Sequence, residues 1–299
     1  MSNLNYLYGR YGIGGIIPNV FGNDSNAYRF LAKRLAEGEM LYHVILDGKG
    51  VPFLVEDGTQ VKALAFTSVE AGKKYCDMKL ASGYPLHIEV KGGREVYELY
   101  GALGVTAFQM DEKVSVALTD ISELPDYDGF TGLGKPLRNA ALNAELYLGC
   151  QKRLAGKVEA GSHIAAAVHL MQEGHLLACS IRSPIPDMEE SIIPYIENEE
   201  GSQGLPLFTD CAAFERFLQG NDWARELFTG AEQAILDYQA FRSLLVENPT
   251  ALFVLNPCEA DFVFTCDSFL SIESAVVIRD AQQVQPEAID EDPTPDFLK

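Results

Sequence analysis

Apolar residues recur along the chain with two alternating periods, which predicts short strands alternating with amphipathic helices from about residue 26 to residue 279. The pattern is clearest in LPLFTDCAAFERFL, Leu205 to Leu218, where an apolar strand runs through Phe-Thr and a capping residue into a helix. ALAFTSVEAGKKY, Ala63 to Tyr75, has the same form. Strands separated by helices in this way predict a mixed α/β fold.

The repeated Phe-Thr turn predicts two tandem similar modules, each a small mixed β-sheet flanked by helices. Helix, strand and turn signals follow one another in the same order in both halves, and three matches fix the register. They are Glu37-Gly38 on Glu173-Gly174 at an offset of 136, Phe66-Thr67 on Phe208-Thr209 at 142, and Val105 to Phe108 on Ala251 to Val254 at 146. The growing offset is expected if the loops of the second copy are longer.

Breaks in the periodic pattern set the module boundaries. The first module is expected over residues 1–121, beginning with a Gly-rich loop, and the second over residues 137–279, which agrees with roughly 150 residues per domain. Between them, SELPDYDGFTGLGKP (122–136) is rich in Pro, Gly and acids and is predicted to be a linker. Residues 280–299 carry three prolines and many acids and are predicted to be a disordered tail.

Local signals make finer predictions at the turns. Thr67 and Glu70 have the spacing of a capping box, and Asp210 is of the residue type that caps a helix beginning just after it. Met40 to Leu46 is predicted to be a strand, and Ala231 to Val246 a single helix.

The second Phe-Thr turn, followed by LFVLNP (Leu252 to Pro257), resembles the N-terminal domain of the SseB, or enhanced serine sensitivity, family. That domain has an apolar strand, Phe-Thr-Ser/Asp, a helix, and a closing strand that ends in Asn-Pro. The resemblance covers about residues 137–277 and extends to 26–118, where Met110-Asp111 stands in place of Asn-Pro. It implies the family's domain in two copies, whereas the family usually pairs it with a different C-terminal domain. The family has no established chemistry, so the resemblance implies no catalytic residue.

Charge and cysteine usage narrow the class of protein. With 23 Lys and Arg against 43 Asp and Glu, the net charge is −20, and such a surface repels phosphate backbones and anionic headgroups, so neither nucleic acid nor membrane binding is expected. The six cysteines are scattered without a C-x-x-C pair, as in proteins of reducing compartments. The N-terminus lacks the pattern of a secretory signal, and no apolar run approaches the roughly 20 residues of a membrane helix. A cytoplasmic protein is therefore predicted.

The Phe-Thr turns are the candidate binding site. A helix N-terminus presents free N–H groups and binds anions or acidic partner groups. Thr67, Ser68, Thr209 and Asp210 are placed to contribute to such a face, although the same residue types also cap helices and satisfy those groups themselves. Trp223, the only tryptophan, is a candidate partner anchor, since Trp is enriched at interface hot spots. Packing of a short helix onto the core is the alternative for Trp223.

No catalytic residue, metal or cofactor is predicted. His169 and Glu173 share a helical face, but His163 lies on a different one, so a third metal ligand is missing. Cys258 and Cys266 flank the last strand without a histidine beside them, and no G-x-S-x-G elbow occurs. The remaining candidates are acids expected in solvated loops rather than in a Ca²⁺ site, namely Asp187, Glu189, Glu190, Glu197, Glu199 and Glu200.

These observations favour a non-enzymatic protein-interaction or regulatory protein, whose partner and oligomeric state the sequence leaves open. The alternative is a small-molecule binder or enzyme with a site between the two modules, where pockets often form.

Overall fold

The computed structural model describes residues 25–47, 51–58, 60–118, 137, 139–182, 191–197 and 201–283. The chain is a mixed α/β protein, as predicted. The predicted N-terminal loop up to residue 24, the linker 122–136 and residues 284–299 of the predicted tail lie outside the described residues.

The part of the chain from residue 25 to residue 118 builds one sheet with three helices. Its strands are β1 (Met40–Leu46), β2 (Val51–Pro52), β3 (Leu54–Asp57), β4 (Gln60–Phe66), β5 (Leu86–Gly92), β6 (Ala107–Met110) and β7 (Val114–Ala117). Its helices are α1 (Ser25–Glu37), α2 (Val69–Leu80) and α3 (Gly93–Ala102). The strand order is β5-β1-β4-β6-β7, with β2 extending along β1 and β3 along β4.

Residues 139–283 contain more helix. The helices are α4 (Ala140–Leu154), α5 (Ala160–Glu173), α6 (Cys211–Gly220), α7 (Asp222–Leu227), α8 (Tyr238–Glu247) and α9 (Cys266–Gln283). The strands are β8 (Leu176–Arg182), β9 (Ser191–Ile192), β10 (Ile196–Glu197), β11 (Gln203–Leu207), β12 (Glu232–Leu236), β13 (Leu252–Leu255) and β14 (Phe262–Phe264). Helix α9 continues four residues into the segment predicted to be a disordered tail.

The strand pairings of the first half recur in the second with the same sense. β8 pairs antiparallel with β12 and β9, as β1 does with β5 and β2. Leu177 exchanges two hydrogen bonds with Phe208, at 2.8 and 2.9 Å, where β1 pairs with β4 through Tyr42 and Phe66. β11 pairs with β10, β13 follows parallel to β11, and β14 closes the sheet, as β3, β6 and β7 do around β4.

The register between the halves differs by one residue from the prediction. Phe108 pairs with Ala63, and Phe253 pairs with Leu205. Because Ala63 and Leu205 are already matched at an offset of 142, Phe108 corresponds to Phe253 at 145, so the predicted offset of 146 is wrong. The residue that matches Asn256 is therefore Asp111 rather than Met110.

Helices cover both faces of the first sheet. The face that carries Tyr42 and Phe66 packs against α2, where Gly72 comes so close to Ile88 that an added Cβ would lie 2.3 Å from that side chain. The opposite face carries His43 and packs against Tyr100 of α3, with ring centroids 5.7 Å apart. A Cβ on Gly93, the first residue of α3, would lie 1.9 Å from a carbonyl oxygen of α1, so this helix crossing requires glycine.

Helix α4 lies between the two halves. Every residue from Leu142 to Gln151 is buried, which is typical of a helix enclosed on all sides. It contacts α3 and β3 of the first half as well as α5. One continuous cluster of buried apolar side chains accordingly includes residues of the first half, of α4 and of the second half. A smaller cluster packs α6 and α7 over the outer face of β8.

The predicted helix from Ala231 to Val246 is wrong over its first seven residues. Residues Glu232 to Leu236 form strand β12, and the helix begins only at Tyr238, after Asp237. Asp237 caps that helix by accepting a 2.8 Å hydrogen bond from the Ala240 N–H. Pairing with β8 along all five residues outweighs the helical pattern of the sequence.

Candidate functional site

The two Phe-Thr turns are held by matching hydrogen bonds. The Thr67 N–H and hydroxyl donate to the two carboxylate oxygens of Asp111 at 2.9 and 2.8 Å. The Thr209 N–H donates to Asn256 Oδ1 at 2.9 Å, and Asn256 Nδ2 donates to the Thr209 hydroxyl at 2.9 Å. Asp111 and Asn256 thus have the same role. Each directly follows the central parallel strand of its half, β6 or β13.

Backbone geometry explains the residue type at these two positions. Asp111 and Asn256 have φ of 47° and 50°, in the left-handed region that Asp and Asn tolerate better than other non-glycine residues. Their backbone N–H groups donate to Ala65 O at 3.0 Å and Leu207 O at 2.9 Å. An Asx residue is therefore suited to both the backbone bend and the side-chain bond to the threonine.

Each turn then starts a capped helix. Ser68 Oγ accepts from the Ala71 N–H at 3.2 Å, and Asp210 Oδ1 accepts from the Ala213 N–H at 2.7 Å. The predicted cap at Asp210 is confirmed. The predicted Thr67–Glu70 capping box is wrong, because Ser68 is the N-cap residue and the Thr67 side chain bonds to Asp111 instead.

The surroundings of the two turns differ. In the first half Thr67 is exposed, and Ser68 and Asp111 are half-buried. In the second half the corresponding residues are buried, with Thr209 at 0% and Asp210 at 3% exposure. Of the four predicted binding residues, the structure therefore leaves Thr67 and Ser68 accessible and places Thr209 and Asp210 in the interior.

Helix α4 covers the second turn with polar side chains. Asn139, just before the helix, donates to the backbone oxygens of Thr209 and His175. One turn later, Asn143 Nδ2 lies 2.6 Å from Asp210 Oδ2 and 2.8 Å from Ala102 O, and its Oδ1 accepts from Asn256 Nδ2 at 3.4 Å. Polar atoms of the buried turn are thus bonded within the chain.

The same stripe of α4 continues with Tyr147 and Gln151, spaced four residues apart. Tyr147 donates to Glu259, whose carboxylate also holds Arg216 through two bonds of 2.7 and 3.1 Å. Gln151 reaches the first half, where its side-chain amide accepts from the Leu54 N–H at 3.0 Å and donates to Leu54 O at 2.7 Å. Through this stripe α4 hydrogen-bonds to both halves.

The electrostatics at Asp210 do not favour an added anion. Burial raises the pKa of this carboxyl, while Arg216, the Ala213 N–H and Asn143 act against that rise. Both carboxyl oxygens already accept hydrogen bonds. An incoming anion would meet a buried acidic group where free N–H donors are needed.

Beside the first turn lies a small exposed apolar patch, which we call the β1–β5 patch. It consists of Met40, Tyr42 and Val90, which share one sheet face because Tyr42 pairs with Val90 and Met40 lies two residues along β1. Met40 is 52% and Val90 42% exposed.

The corresponding row of the second half is covered at its centre, whereas Ile235 at the sheet edge is 40% exposed. There Leu177 takes the place of Tyr42, Ile235 that of Val90 and Phe208 that of Phe66. Leu177 is fully buried under the outer apolar cluster, which includes Phe214, Phe217 and Phe228. Part of this cover comes from α7, a helix with no counterpart between α2 and β5.

Trp223 lies on α7 and is 44% exposed. Its ring meets Phe217 edge to face, with centroids 5.5 Å apart. One edge therefore packs on the outer cluster, as one of the two interpretations of the sequence expected, and the rest faces solvent.

Histidine and cysteine form no site among the residues that the structure describes, where no group of three metal-ligating side chains occurs. His163 is buried between Glu145 at 2.7 Å and Glu56 at 3.4 Å. Burial alone would lower the pKa of His163, but the two carboxylates together raise it. Cys258 is exposed, the other five cysteines are buried, and all six are free thiols.

Sequence reasoning did not predict the hydrogen bonds that hold the two turns or those that α4 makes to both halves. Asp111 and Asn256 carry a weak signal, since each is an Asx residue directly after an apolar strand. Asn143 and Gln151 carry a stronger one, because amide side chains in an otherwise apolar helix predict buried hydrogen bonds. Their partners lie far away in sequence, so the pattern alone does not identify them.

No protein-family model and no curated protein match this chain. Among solved structures it is similar to Anabaena Tic22, a protein described as acting in protein transport. The two are 13% identical, with a TM-score of 0.20, over 73% of this chain and 86% of that one. A similarity at this TM-score carries no argument about function. Over the described residues, no helix is both long and apolar enough to cross a bilayer.

Proposed function

We propose that the chain is a non-enzymatic cytoplasmic protein-interaction or regulatory protein, formed by two copies of a module that resembles the N-terminal domain of the SseB family. The recurrence of six strand pairings and of the Thr-to-Asx bond supports the duplication. The free cysteines are consistent with a reducing compartment. Its partner face is the first Phe-Thr turn with the β1–β5 patch.

The observation that carries this proposal is the contrast in exposure between matching surfaces. In the second half the turn is covered by α4, and Leu177, at the centre of the adjoining sheet row, is buried under the outer apolar cluster. In the first half Thr67 faces solvent, and Tyr42 is only half-buried beside the exposed Met40 and Val90. Exposed apolar residues beside accessible polar groups are typical of protein interaction surfaces.

The described residues between the two halves do not favour a small-molecule site there. The described junction is filled by α4, whose side chains from Leu142 to Gln151 are all buried. Its polar groups bond to each other and to backbone atoms, as Asn143 and Gln151 do. Such satisfied networks rigidify a core.

The test compares partner capture by two charge variants in native-cell extract after cross-linking. Val90→Glu places a carboxylate in the β1–β5 patch, and Val158→Glu, at a residue 92% exposed and away from it, is the matched control. We expect a protein recovered by the wild-type chain and by Val158→Glu to be lost at least tenfold with Val90→Glu. A metabolite thermal-shift panel runs beside it. Reproducible stabilisation by one metabolite, with no protein recovered, would overturn the proposal.

A further inference from the structure

Strand β12 presents an open edge. It pairs with β8 over five residues, from Glu232 opposite Ser180 to Leu236 opposite Leu176. Within the described parts of the chain, no strand pairs with its other edge. Ala234 and Ile235 are exposed, Ile235 at 40%. An edge of this kind offers unpaired N–H and C=O groups to another extended segment.

The corresponding edge strand of the first half is protected. Its residues His87, Glu89 and Lys91 project on one face, and charged side chains along an edge discourage strand addition. His87 pairs with Asp47, and Glu89 lies 3.1 Å from Lys91. The matching residues of β12, placed by the pairing of Ile235 with Leu177, are Glu232, Ala234 and Leu236. β12 thus has neither lysine nor proline and keeps only one charge.

One side-chain atom on β12 also lacks a partner. Gln233 Oε1 is buried and receives no hydrogen bond from the residues that the structure describes. Buried polar oxygens are normally satisfied, so this amide keeps an unused acceptor on the edge strand.

The charge of this half selects the partner. Residues 119–299 contain 30 Asp and Glu against 11 Lys and Arg, whereas residues 1–118 contain 13 against 12. β12 itself begins with Glu232 and is followed by Asp237. A second copy of the chain would bring two strongly acidic halves together, while a basic segment would meet complementary charge.

We propose that the free edge of β12 binds an extended basic segment of another protein by strand addition. Backbone hydrogen bonds would supply affinity, and lysine or arginine side chains would meet Glu232 and Asp237 at the two ends of the strand. This surface is separate from the first Phe-Thr turn, so either proposal can fail without the other.

The probe is a blocked seven-residue peptide of alternating lysine and valine, titrated into the full chain at low salt. One control peptide replaces lysine by glutamate. A second carries methyl groups on alternate backbone nitrogens, which keeps the charge and removes the hydrogen bonds of a strand. We expect the lysine peptide to bind at least tenfold more tightly than either control, and equal binding of the methylated peptide would overturn the proposal.

Two variants that each add one positive charge locate the site. Ala234→Lys gives β12 the protection that β5 has, and Val246→Lys, at a residue 59% exposed on α8, is the control. We expect Ala234→Lys to weaken peptide binding at least tenfold and Val246→Lys to change it less than twofold. Equal effects, or a wild-type dimer that Ala234→Lys dissociates, would overturn the proposal.

Hydrogen exchange of the wild-type chain keeps the test decisive if Ala234→Lys does not fold. Bound peptide should slow exchange of the amides of residues 232–236. Protection confined to other strands would count against the edge of β12.

Discussion

The two Phe-Thr turns have the same internal bonds and different roles in the fold. Thr67 and Thr209 each bond to an Asx residue in the left-handed conformation, and each precedes a capped helix. Only the second turn is enclosed, because α4 places Asn143 against Asp210. A local motif therefore determines how the chain turns, while the element packed over the motif determines whether its polar groups stabilise the core or face solvent.

The largest effect is expected from Asn143→Leu, which removes the contact between α4 and the second turn. The variant leaves Asp210 Oδ2, Ala102 O and Asn256 Nδ2 without this partner in a buried region. Each unsatisfied buried group costs roughly 1–3 kcal/mol, and more if it is charged. We expect a loss of about 4 kcal/mol in the free energy of unfolding, measured by urea denaturation.

The control for this variant is Asn248→Leu. That asparagine is half-buried at the end of α8 and bonds to Leu244 O at 2.9 Å. We expect it to cost about 1 kcal/mol, as a single replaced hydrogen bond does. Similar losses in the two variants would mean that α4 does not stabilise the second turn.

How much of the fold and of the candidate site the sequence could predict depends on how far apart in sequence the contacting residues lie. The mixed α/β class and strand β1 follow from local periodicity. β12 was missed because its pairing with β8 overrides a helical pattern. The role of Asn143 was missed because Asp210 and Asn256 lie 67 and 113 residues away. Met110 was matched with Asn256 in place of Asp111, because the register of two similar apolar strands is ambiguous until their pairing is known.

The next largest effect is expected in how the stability of the chain depends on pH. The first sheet buries His43 where the second has Ala178, and Tyr100 OH lies 3.2 Å from the histidine's Nδ1. Burial lowers the pKa of His43 from 6.5 to about 4, although Glu89 partly opposes this. The unfolded chain therefore takes up this proton first, so stability falls as pH drops from about 6.5 to about 4. The loss amounts to at most about 3 kcal/mol.

His43→Gln should be less stable than the wild-type chain at pH 7 but should lose less stability between pH 6.5 and 4. His87→Gln, at an exposed position of the same sheet, is the control for removing a histidine outside the core. Urea denaturation at several pH values measures the slopes. If His43→Gln and the wild-type chain have the same slope, His43 does not account for the acid sensitivity.

The smallest expected effect is a difference between two matched variants, Asp111→Ala and Asn256→Ala. Both remove the Asx side chain that holds a threonine, and both leave alanine in the left-handed conformation, so the backbone strain is common to the pair.

Asn256 is buried, and its loss also affects Asn143. The Thr67 N–H can bond to water once Asp111 is gone, whereas the buried Thr209 N–H cannot. We expect Asn256→Ala to cost about 2 kcal/mol more than Asp111→Ala in urea denaturation. Equal costs would show that water reaches both turns alike, and the difference in enclosure would then have no energetic meaning.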